Sequence, residues 1–319
     1  MNHTKAGWLY LILILAEVAL VGLILLVPSL ADDFMIAECI LFAMMFIPFL
    51  IFMFATRTSF KEFFGFRKIR FSTIMWTLLF IILITPMSNF LNTVTALIFG
   101  NVAADVLTSA ITDYPFIEMF LVIAIMGPVL EEMMFRGVLY RNFRKSGRLI
   151  GSVIVSAIIF GLYHRNLNQF FYTAYVGVMF SLIDEAADSV WPSIICHVIF
   201  NGYSVCLVYL IKGVAPQYAM SGAALEGISE AAASLALAVA LVVLAFIGVL
   251  FLVLARLVVS KIAKNEGNLS LISKEVRVKD YLTGNKKIIS VPLIIGICIA
   301  AAATIYNSVQ LVLQNSGLI

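Results

Sequence analysis

The chain has 319 residues, of which 62% are hydrophobic and 12% charged, and its formal net charge is +3. Soluble globular domains carry roughly 25% charged residues, so this composition excludes a soluble globular protein, as does a mean hydropathy of +1.06. The basic residues lie in loops between apolar runs and do not indicate a nucleic-acid partner. We therefore expect an all-α protein embedded in the lipid bilayer.

Apolar runs of about 18 or more residues can span a bilayer as helices. The candidate runs are 8–28, 34–56, 72–99, 116–140, 149–164, 169–183, 191–211, 232–259 and 288–313. The sixth run is short and is either spanning or re-entrant. The pattern predicts a polytopic transmembrane helical bundle of about eight or nine spans. The first run is too long for a removable signal peptide and has no A-x-A-like cleavage site, so we expect it to be retained.

Lysine and arginine cluster after the second, fourth and eighth runs, whereas acidic residues occupy most of the intervening loops. The clustered basic residues are Lys5, Arg57, Lys61, Arg67, Lys68, Arg70, Arg141, Arg144, Lys145, Arg148, Arg256, Lys261, Lys264, Lys274, Arg277, Lys279, Lys286 and Lys287. Basic loops remain in the cytoplasm. The distribution therefore predicts a multi-pass protein of the cell membrane with a cytoplasmic N-terminus and, with nine spans, an external C-terminus.

All cysteines fall within the apolar runs, and none shows the C-x-x-C spacing of a metal site. They are Cys39, Cys196, Cys206 and Cys298. Without a metal pattern or an extracellular disulfide framework, buried thiols are the expectation.

Polar side chains interrupt three of the apolar runs: Glu131, Glu132, Arg136, His164, His197 and Asn201. A charge in the bilayer core costs several kcal/mol on insertion scales, so such groups usually face a cavity or one another. The set predicts a polar cavity within the membrane that has a chemical function.

Helical spacing determines which of these polar side chains share a face of their helix. Glu132 and Arg136 stand four residues apart with the acid first, the better orientation for an ion pair, and this pair is expected to be structural. Glu131 points about 100° away and has no partner on its own helix. His197 lies one turn before Asn201, and Phe160 one turn before His164 in the same way.

The residue types favour hydrolysis of a peptide bond. Glu131 and His164 together can activate a water molecule, with the carboxylate as general base. His197 and Asn201 can donate hydrogen bonds to the oxyanion that forms during acyl transfer. Pro128 follows Gly127 just before the glutamates, and its missing N–H loosens the helix where water or substrate has to enter.

Other interpretations stay open at this point. Glu131, His164 and His197 form an acceptable zinc ligand set with an open position, although the chain lacks the H-E-x-x-H pattern. A single membrane histidine is often only a hydrogen-bond donor between helices. A non-catalytic scaffold or immunity factor and a proton-coupled transporter are therefore the rival classes, but the sequence shows neither an inverted repeat nor a second broken helix.

The three motifs carry a family resemblance. E-E-x-x-x-R stands at Glu131–Arg136, F-x-x-x-H at Phe160–His164 and H-x-x-x-N at His197–Asn201, in order on successive apolar helices. In this respect the chain resembles the CAAX protease and bacteriocin-processing family of intramembrane endopeptidases, also called the Abi family. The resemblance covers roughly residues 115–211, which we expect to form the catalytic core. Residues 1–114 then form N-terminal transmembrane helices with an interfacial segment, and residues 212–319 a C-terminal transmembrane extension.

The resemblance implies a helical membrane core around a water-filled cavity and cleavage of a membrane-associated peptide or protein. It implies that Glu131 and His164 activate water, that His197 and Asn201 stabilise the oxyanion, and that no metal is required. Relatives cleave prenylated C-a-a-X proteins or process peptide pheromones, and others are associated with bacteriocin self-immunity or scaffolding. The resemblance therefore implies a chemistry rather than a substrate.

The expected depths of Glu131, His164 and His197 in the membrane conflict with a shared site. A rise of about 1.5 Å per residue from the predicted cytoplasmic helix ends places His197 shallow, Glu131 near mid-membrane and His164 deeper. Straight, upright helices would keep these groups apart. Tilt, a kink at Pro128 or an offset helix start is needed to bring them together.

Overall fold

The computed structural model describes residues 3–31, 33–214, 230–272 and 287–315. Every regular element within these ranges is a helix, which confirms the predicted all-α fold. The principal helices in chain order are α1 (His3–Leu26), α2 (Phe34–Ala55), α3 (Phe71–Phe99), α4 (Val102–Asp113), α5 (116–144), α6 (Leu149–Tyr163), α7 (Leu167–Ala187), α8 (Trp191–Val214), α9 (Glu230–Glu266) and α10 (Val291–Asn315). Short helical turns lie in the connections at Pro28–Ala31, Phe60–Phe63 and Leu269–Ile272.

Membrane-spanning character is clearest in α1, α2, α3, α8, α9 and α10, which are long and apolar enough to cross a bilayer. The protein is therefore an integral membrane protein. The other predicted spans, 116–140, 149–164 and 169–183, fall on α5, α6 and α7. α7 has 21 residues, which at about 1.5 Å per residue matches the roughly 30 Å of a bilayer core.

One end of the bundle carries the basic loops, and we call it the basic face, defined by residues 56–70, 141–148 and 188–190. Asp188, just after α7, forms ion pairs with Arg67 and with Arg141, the latter at 3.4 Å. Glu266 at the end of α9 accepts a hydrogen bond from the backbone of Arg70 at 2.9 Å. These contacts place the ends of α2, α5, α7 and α9 at one face.

The opposite end, which we call the distal face, is defined by residues 28–31, 33, 100–115 and 164–167. Tyr114 donates to Asp33 at 3.0 Å across the starts of α2 and α5. Hydrogen bonds from the backbone of Ile36 and from Tyr114 hold the pKa of Asp33 below its usual range. Near the end of α10, Ser308 accepts a bond from the backbone of Leu167 at 2.8 Å. The spanning helices therefore alternate between the two faces.

The connection between α2 and α3 is packed tightly onto α5. Phe64 is fully buried and stacks on Phe46, with ring centroids 5.4 Å apart. A Cβ atom added at Gly137 would lie 2.4 Å from the carbonyl oxygen of Phe64. Glycine at position 137 is therefore what allows the backbone of this loop to reach the helix that carries the glutamates.

Helix α5 is continuous but not uniformly α-helical. It contains wider π-helical segments at Phe120–Met126 and Met133–Tyr140, with an α-helical stretch, Gly127–Glu132, between them. Pi segments occur frequently at functional sites. Pro128 was expected to loosen the helix, and it lies at the start of the α-helical stretch, directly after a π-helical segment.

The expectation of buried thiols is correct only for Cys196. Cys39, Cys206 and Cys298 are exposed on the outward sides of their helices. Hydrophobicity does not distinguish a cysteine that faces lipid from one that is buried inside the bundle, because lipid and protein interior are both apolar.

Candidate active site within the helical bundle

A cavity of about 360 Å³ lies between α2, α4, α5, α6, α7 and α8. Its polar lining includes four of the predicted site residues: Glu131, His164, His197 and Asn201. Phe160 also lines it, whereas Glu132 and Arg136 lie behind this wall and are fully buried. The polar cavity inside the bundle that the sequence predicts is present in the structure.

Glu132 connects the helices that carry the first and third motifs. Its Oε1 accepts a hydrogen bond from Nη1 of Arg136 at 3.1 Å, the ion pair that their spacing predicts. The same oxygen lies 2.9 Å from Nδ1 of His197 on α8. Because a carboxylate only accepts hydrogen bonds, Nδ1 carries the proton in this contact. Glu132 thereby holds the His197 ring in place and directs Nε2 away from itself.

Glu131 lies on the cavity side of this cluster. One of its carboxylate oxygens, Oε2, is 3.9 Å from Nε2 of His197. That oxygen is buried and has no hydrogen-bond partner among the described residues. A buried carboxylate oxygen without a protein partner is costly unless water or a ligand satisfies it. Oε2 of Glu132 and two nitrogens of Arg136 also have no partner among the described residues, but they lie behind the cavity wall. Glu131 is therefore the carboxylate of the cluster that lines the cavity and is available to a water molecule or a substrate.

His164 lines the same cavity from the end of α6. Its Nδ1 is 3.0 Å from the backbone carbonyl oxygen of Phe160, one turn earlier. This contact fixes the ring and leaves Nε2 for the cavity. Phe160 meets both histidine rings edge to face, with centroid distances of 5.1 Å to His164 and 6.0 Å to His197. The phenylalanine of the second motif, Phe160, thus packs between the imidazole rings of His164 and His197.

Arg136 is held from the other side by aromatic rings. Its guanidinium carbon lies 3.9 Å from the ring centroid of Phe160 and 5.6 Å from that of Phe180. Cation–π contacts of this kind are stronger away from water. Phe180 on α7 lies outside the motifs, and its role as an aromatic partner of this arginine could not be found from spacing alone.

Asn201 is oriented by the irregular part of α5. Its Nδ2 donates to the backbone carbonyl oxygen of Ile123 at 3.1 Å. In the π register, the N–H of Gly127 reaches back five residues to Val122, so the next donor, at Pro128, would have bonded Ile123. Proline has no N–H, and Asn201 takes its place. One amide hydrogen of Asn201 stays available.

The residues that were expected at different depths in the membrane line one cavity in the structure. Although the helices enter from alternating faces, Glu131 and His197 come within 3.9 Å, and His164 lines the same cavity. In addition, α5 is π-helical on both sides of Gly127–Glu132, so it is not the uniform α-helix that the depth estimate assumed. Glu131 and His164 share the cavity, although the hydrogen bond of His164 goes to its own helix.

Two further charged residues line the cavity and were not singled out as site residues. Glu38 contributes from α2, and Arg165 follows His164 directly. Nε of Arg165 lies 3.9 Å from the buried carboxylate of Glu17 on α1. The sequence signal was present, because Glu17 and Glu38 are acidic residues within spans, but their partner sits in a loop far along the chain.

The zinc interpretation requires three ligands around one point. Among the described residues, no group of three or more His, Cys, Asp or Glu side chains is arranged to hold a metal ion. As arranged here, Glu131, His164 and His197 do not form a zinc ligand sphere, and we derive no step through a metal.

The fold and the site define a polytopic helical membrane protein with a glutamate–histidine cavity inside the bundle. Residues 113–203 match the model of the family described as type II CAAX prenyl endopeptidase Rce1-like. The chain is also similar to the "Putative membrane peptidase YdiL" of Bacillus subtilis (strain 168), with 26% identity over 89 residues. That alignment covers 28% of this chain and 36% of the relative. No solved structure matches the chain.

The matched segment contains all three motifs. This segment is therefore similar to the CAAX protease family, as the three motifs indicated. The family match covers α5 to α7 and part of α8, so it says nothing of α1 to α3, α9 or α10.

Proposed function

We propose that the protein is an intramembrane endopeptidase that hydrolyses a peptide bond of a membrane-associated protein or peptide. The observation that carries the proposal is the buried Glu131 carboxylate, which has an unpartnered oxygen in a cavity shared with two oriented histidines and an asparagine. Packing alone does not require that arrangement, since every unsatisfied buried polar atom reduces stability.

Glu131 acts as the general base. It takes a proton from a water molecule in the cavity while the water oxygen attacks the carbonyl carbon of the scissile peptide bond. His164 lines the same cavity and orients this water through Nε2. When the C–N bond breaks, the proton on Glu131 passes to the leaving amine, so the carboxylate is regenerated and no further reactant is consumed.

His197 and Asn201 stabilise the oxyanion. With Nδ1 of His197 donating to Glu132, a second proton on Nε2 makes the ring a cationic donor facing the cavity. The remaining hydrogen on Nδ2 of Asn201 is the second donor. Fixed donors in a site that excludes water favour the transition state without reorganisation.

Arg136 and Phe160 support the cluster. The arginine forms the buried ion pair with Glu132, and removing one partner of such a pair leaves an uncompensated charge. The Phe160 ring packs against the Arg136 guanidinium and against both histidine rings.

Substrate class follows from the surroundings rather than from a specific contact. Apart from the polar groups, the cavity is lined by apolar side chains such as Phe34, Phe42, Leu107 and Val205. An extended, apolar peptide segment fits such a lining. C-a-a-X-like C-termini and leader, pheromone or bacteriocin-type peptides are the candidate classes. The predicted location is the cell membrane with the N-terminus in the cytoplasm.

The test is cleavage of a panel of prenylated and membrane-tethered peptides by the purified protein in lipid. Wild type and Glu131→Gln are compared, each with and without a chelator. We expect products that depend on Glu131 and resist the chelator. Chelator-sensitive cleavage that zinc restores would replace the glutamate mechanism by a metal-dependent one. Cleavage that persists in Glu131→Gln would contradict both versions.

A further inference from the structure

We propose that the active-site cavity opens at the extracytoplasmic face of the membrane and accepts apolar segments of exported, membrane-tethered peptides. The proposed face of the cavity opening is argued from the positions of the lining residues and from the charges of the two faces. The substrate class rests in addition on the proposed peptidase function.

The cavity lies toward the distal face on every helix except α8, which it meets near its middle. Its lining comes from the start of α2, from α4, from the part of α5 up to Glu131 near its middle, and from the start of α7. On α6, by contrast, it comes from the end, where His164 and Arg165 lie. Since α6 runs antiparallel to α5 and α7, the end of α6 and the starts of those helices are at the same face.

The basic face has a separate depression. It is lined by residues such as Lys61, Arg67 and Asp188, and its deepest member is Arg136. Glu131, His164 and His197 are not among the residues that line it. The buried layer of Glu132 and Arg136 therefore separates the active-site cavity from the basic face.

The two faces differ strongly in charge. Basic side chains on the basic face are Arg57, Lys61, Arg67, Lys68, Arg70, Arg141, Arg144, Lys145, Arg148, Lys261 and Lys264. On the distal face, the described segment 100–115 has Asp105 and Asp113 and no lysine or arginine, and the basic residues of the neighbouring described helix ends are Arg165 and Lys212. Lysine and arginine are retained in cytoplasmic loops. The distal face, and with it the cavity, is therefore extracytoplasmic.

Helix α4 shapes the rim of the cavity at that face. This 12-residue helix turns Ala103, Val106 and Leu107 toward the cavity and leaves Asp105 and Thr108 exposed. It is tied to the bundle by Lys212, which donates to the carbonyl oxygen of Ile111 at 2.6 Å, a bond between α4 and α8. An amphipathic helix of this kind lies in the membrane interface. Its apolar side gives an apolar peptide a path from that interface into the cavity.

The orientation is measured by cysteine labelling in intact cells with a membrane-impermeant maleimide. Thr108→Cys reports on α4 at the distal face, and Lys68→Cys is the matched probe on the basic face; both positions are exposed. The parent protein with its native cysteines gives the background. A position that does not react in permeabilised cells is replaced by Asp105→Cys or Lys61→Cys on the same face.

We expect intact cells to label Thr108→Cys and to lose the labelling of Lys68→Cys, which returns on permeabilisation. Labelling of Lys68→Cys alone, of both probes equally or of neither in intact cells would overturn the proposal. Because labelling needs no cleavage, this result stands or falls independently of the peptidase activity.

The substrate side is measured in sealed vesicles with a membrane-impermeant apolar peptide carrying a charged tag. We expect right-side-out vesicles to cleave it and inverted vesicles to do so only after detergent is added. The reverse pattern would overturn the proposed substrate side. Absence of cleavage in detergent as well as in both vesicle types would instead count against the peptidase function, while the labelling result would remain.

Discussion

Glu132 on α5 and His197 on α8 are joined by a hydrogen bond of 2.9 Å between Oε1 and Nδ1. The same oxygen pairs with Arg136, so one buried carboxylate links the first motif to the third. Glu132 is therefore both a structural partner of the arginine and a positioning residue for the imidazole.

Replacing Glu132 by glutamine removes the charge and keeps the size of the side chain. We expect kcat for peptide cleavage to fall by about 10²-fold, the lower range for a misplaced acid or base, with KM little changed. Both constants are referred to the folded fraction from size-exclusion chromatography. Glu185→Gln is the matched control, because it too removes a hydrogen-bonded carboxylate. Glu185 bonds a tyrosine and an arginine at the basic face, away from the cavity. Equal losses in the two variants would mean that Glu132 acts only through folding.

Removing the oxyanion donors affects catalysis more than binding. For Asn201→Ala we expect kcat to fall by about 10²- to 10³-fold, the usual effect of one oxyanion donor, and His197→Ala also lowers kcat. KM changes little, because these bonds form with the transition state. Tyr203→Phe, an exposed change on the same helix, is expected to retain wild-type kinetics. A rise in KM with unchanged kcat would assign Asn201 to substrate binding instead.

Arg136→Ala is expected to reduce stability rather than to alter chemistry directly. It leaves Glu132 as an unpaired buried charge, and breaking one side of a buried pair costs about 3–5 kcal/mol. The measurement is the fraction of protein that stays monodisperse in detergent after heating. Arg67→Ala is the control, since its more exposed pair with Asp188 is worth only about 0–1 kcal/mol.

A second substitution makes this prediction sharper. Adding Glu132→Gln to Arg136→Ala removes the stranded charge, so we expect the double variant to recover part of the lost thermal stability. A double variant less stable than Arg136→Ala would show that the charge is not the cause.

Gly137→Ala tests the packing of the loop against α5. The new Cβ would meet the backbone of Phe64 at 2.4 Å, and backbone cannot swing aside as a flexible side chain does. We expect a lower folded yield and a lower thermal midpoint. Gly22→Ala is the matched control, because a Cβ there meets nothing within 4 Å and alanine favours the helix by about 1 kcal/mol. Similar behaviour of the two variants would refute the close-approach argument.

The sequence predicts local relationships well and relationships between helices poorly. The pairing of Glu132 with Arg136 follows from four-residue spacing, and the all-α fold from the apolar runs. The bond from Glu132 to His197 joins residues 65 positions apart, and no periodicity encodes it. The outward position of Cys39, Cys206 and Cys298 was equally invisible, because lipid accepts the same side chains as a protein core.

The π-helical register of α5 was the other feature that the sequence did not predict. Pro128 signalled a disturbance in α5, and the structure has π segments on both sides of Gly127–Glu132. The carbonyl oxygen of Ile123 then bonds Asn201. The assignment of catalytic roles to Glu131, His164, His197 and Asn201 stays a prediction until variants are assayed.

The most direct test compares Glu131→Gln with Glu118→Gln in single-turnover cleavage of a membrane-tethered peptide in liposomes. Both glutamates lie on the same helix, but Glu118 is exposed and lies outside the cavity. We expect Glu131→Gln to be inserted and folded but to cleave no faster than background. We expect His164→Ala to behave in the same way and Glu118→Gln to match wild type. Wild-type cleavage by folded Glu131→Gln would contradict the proposed role of Glu131 as the general base.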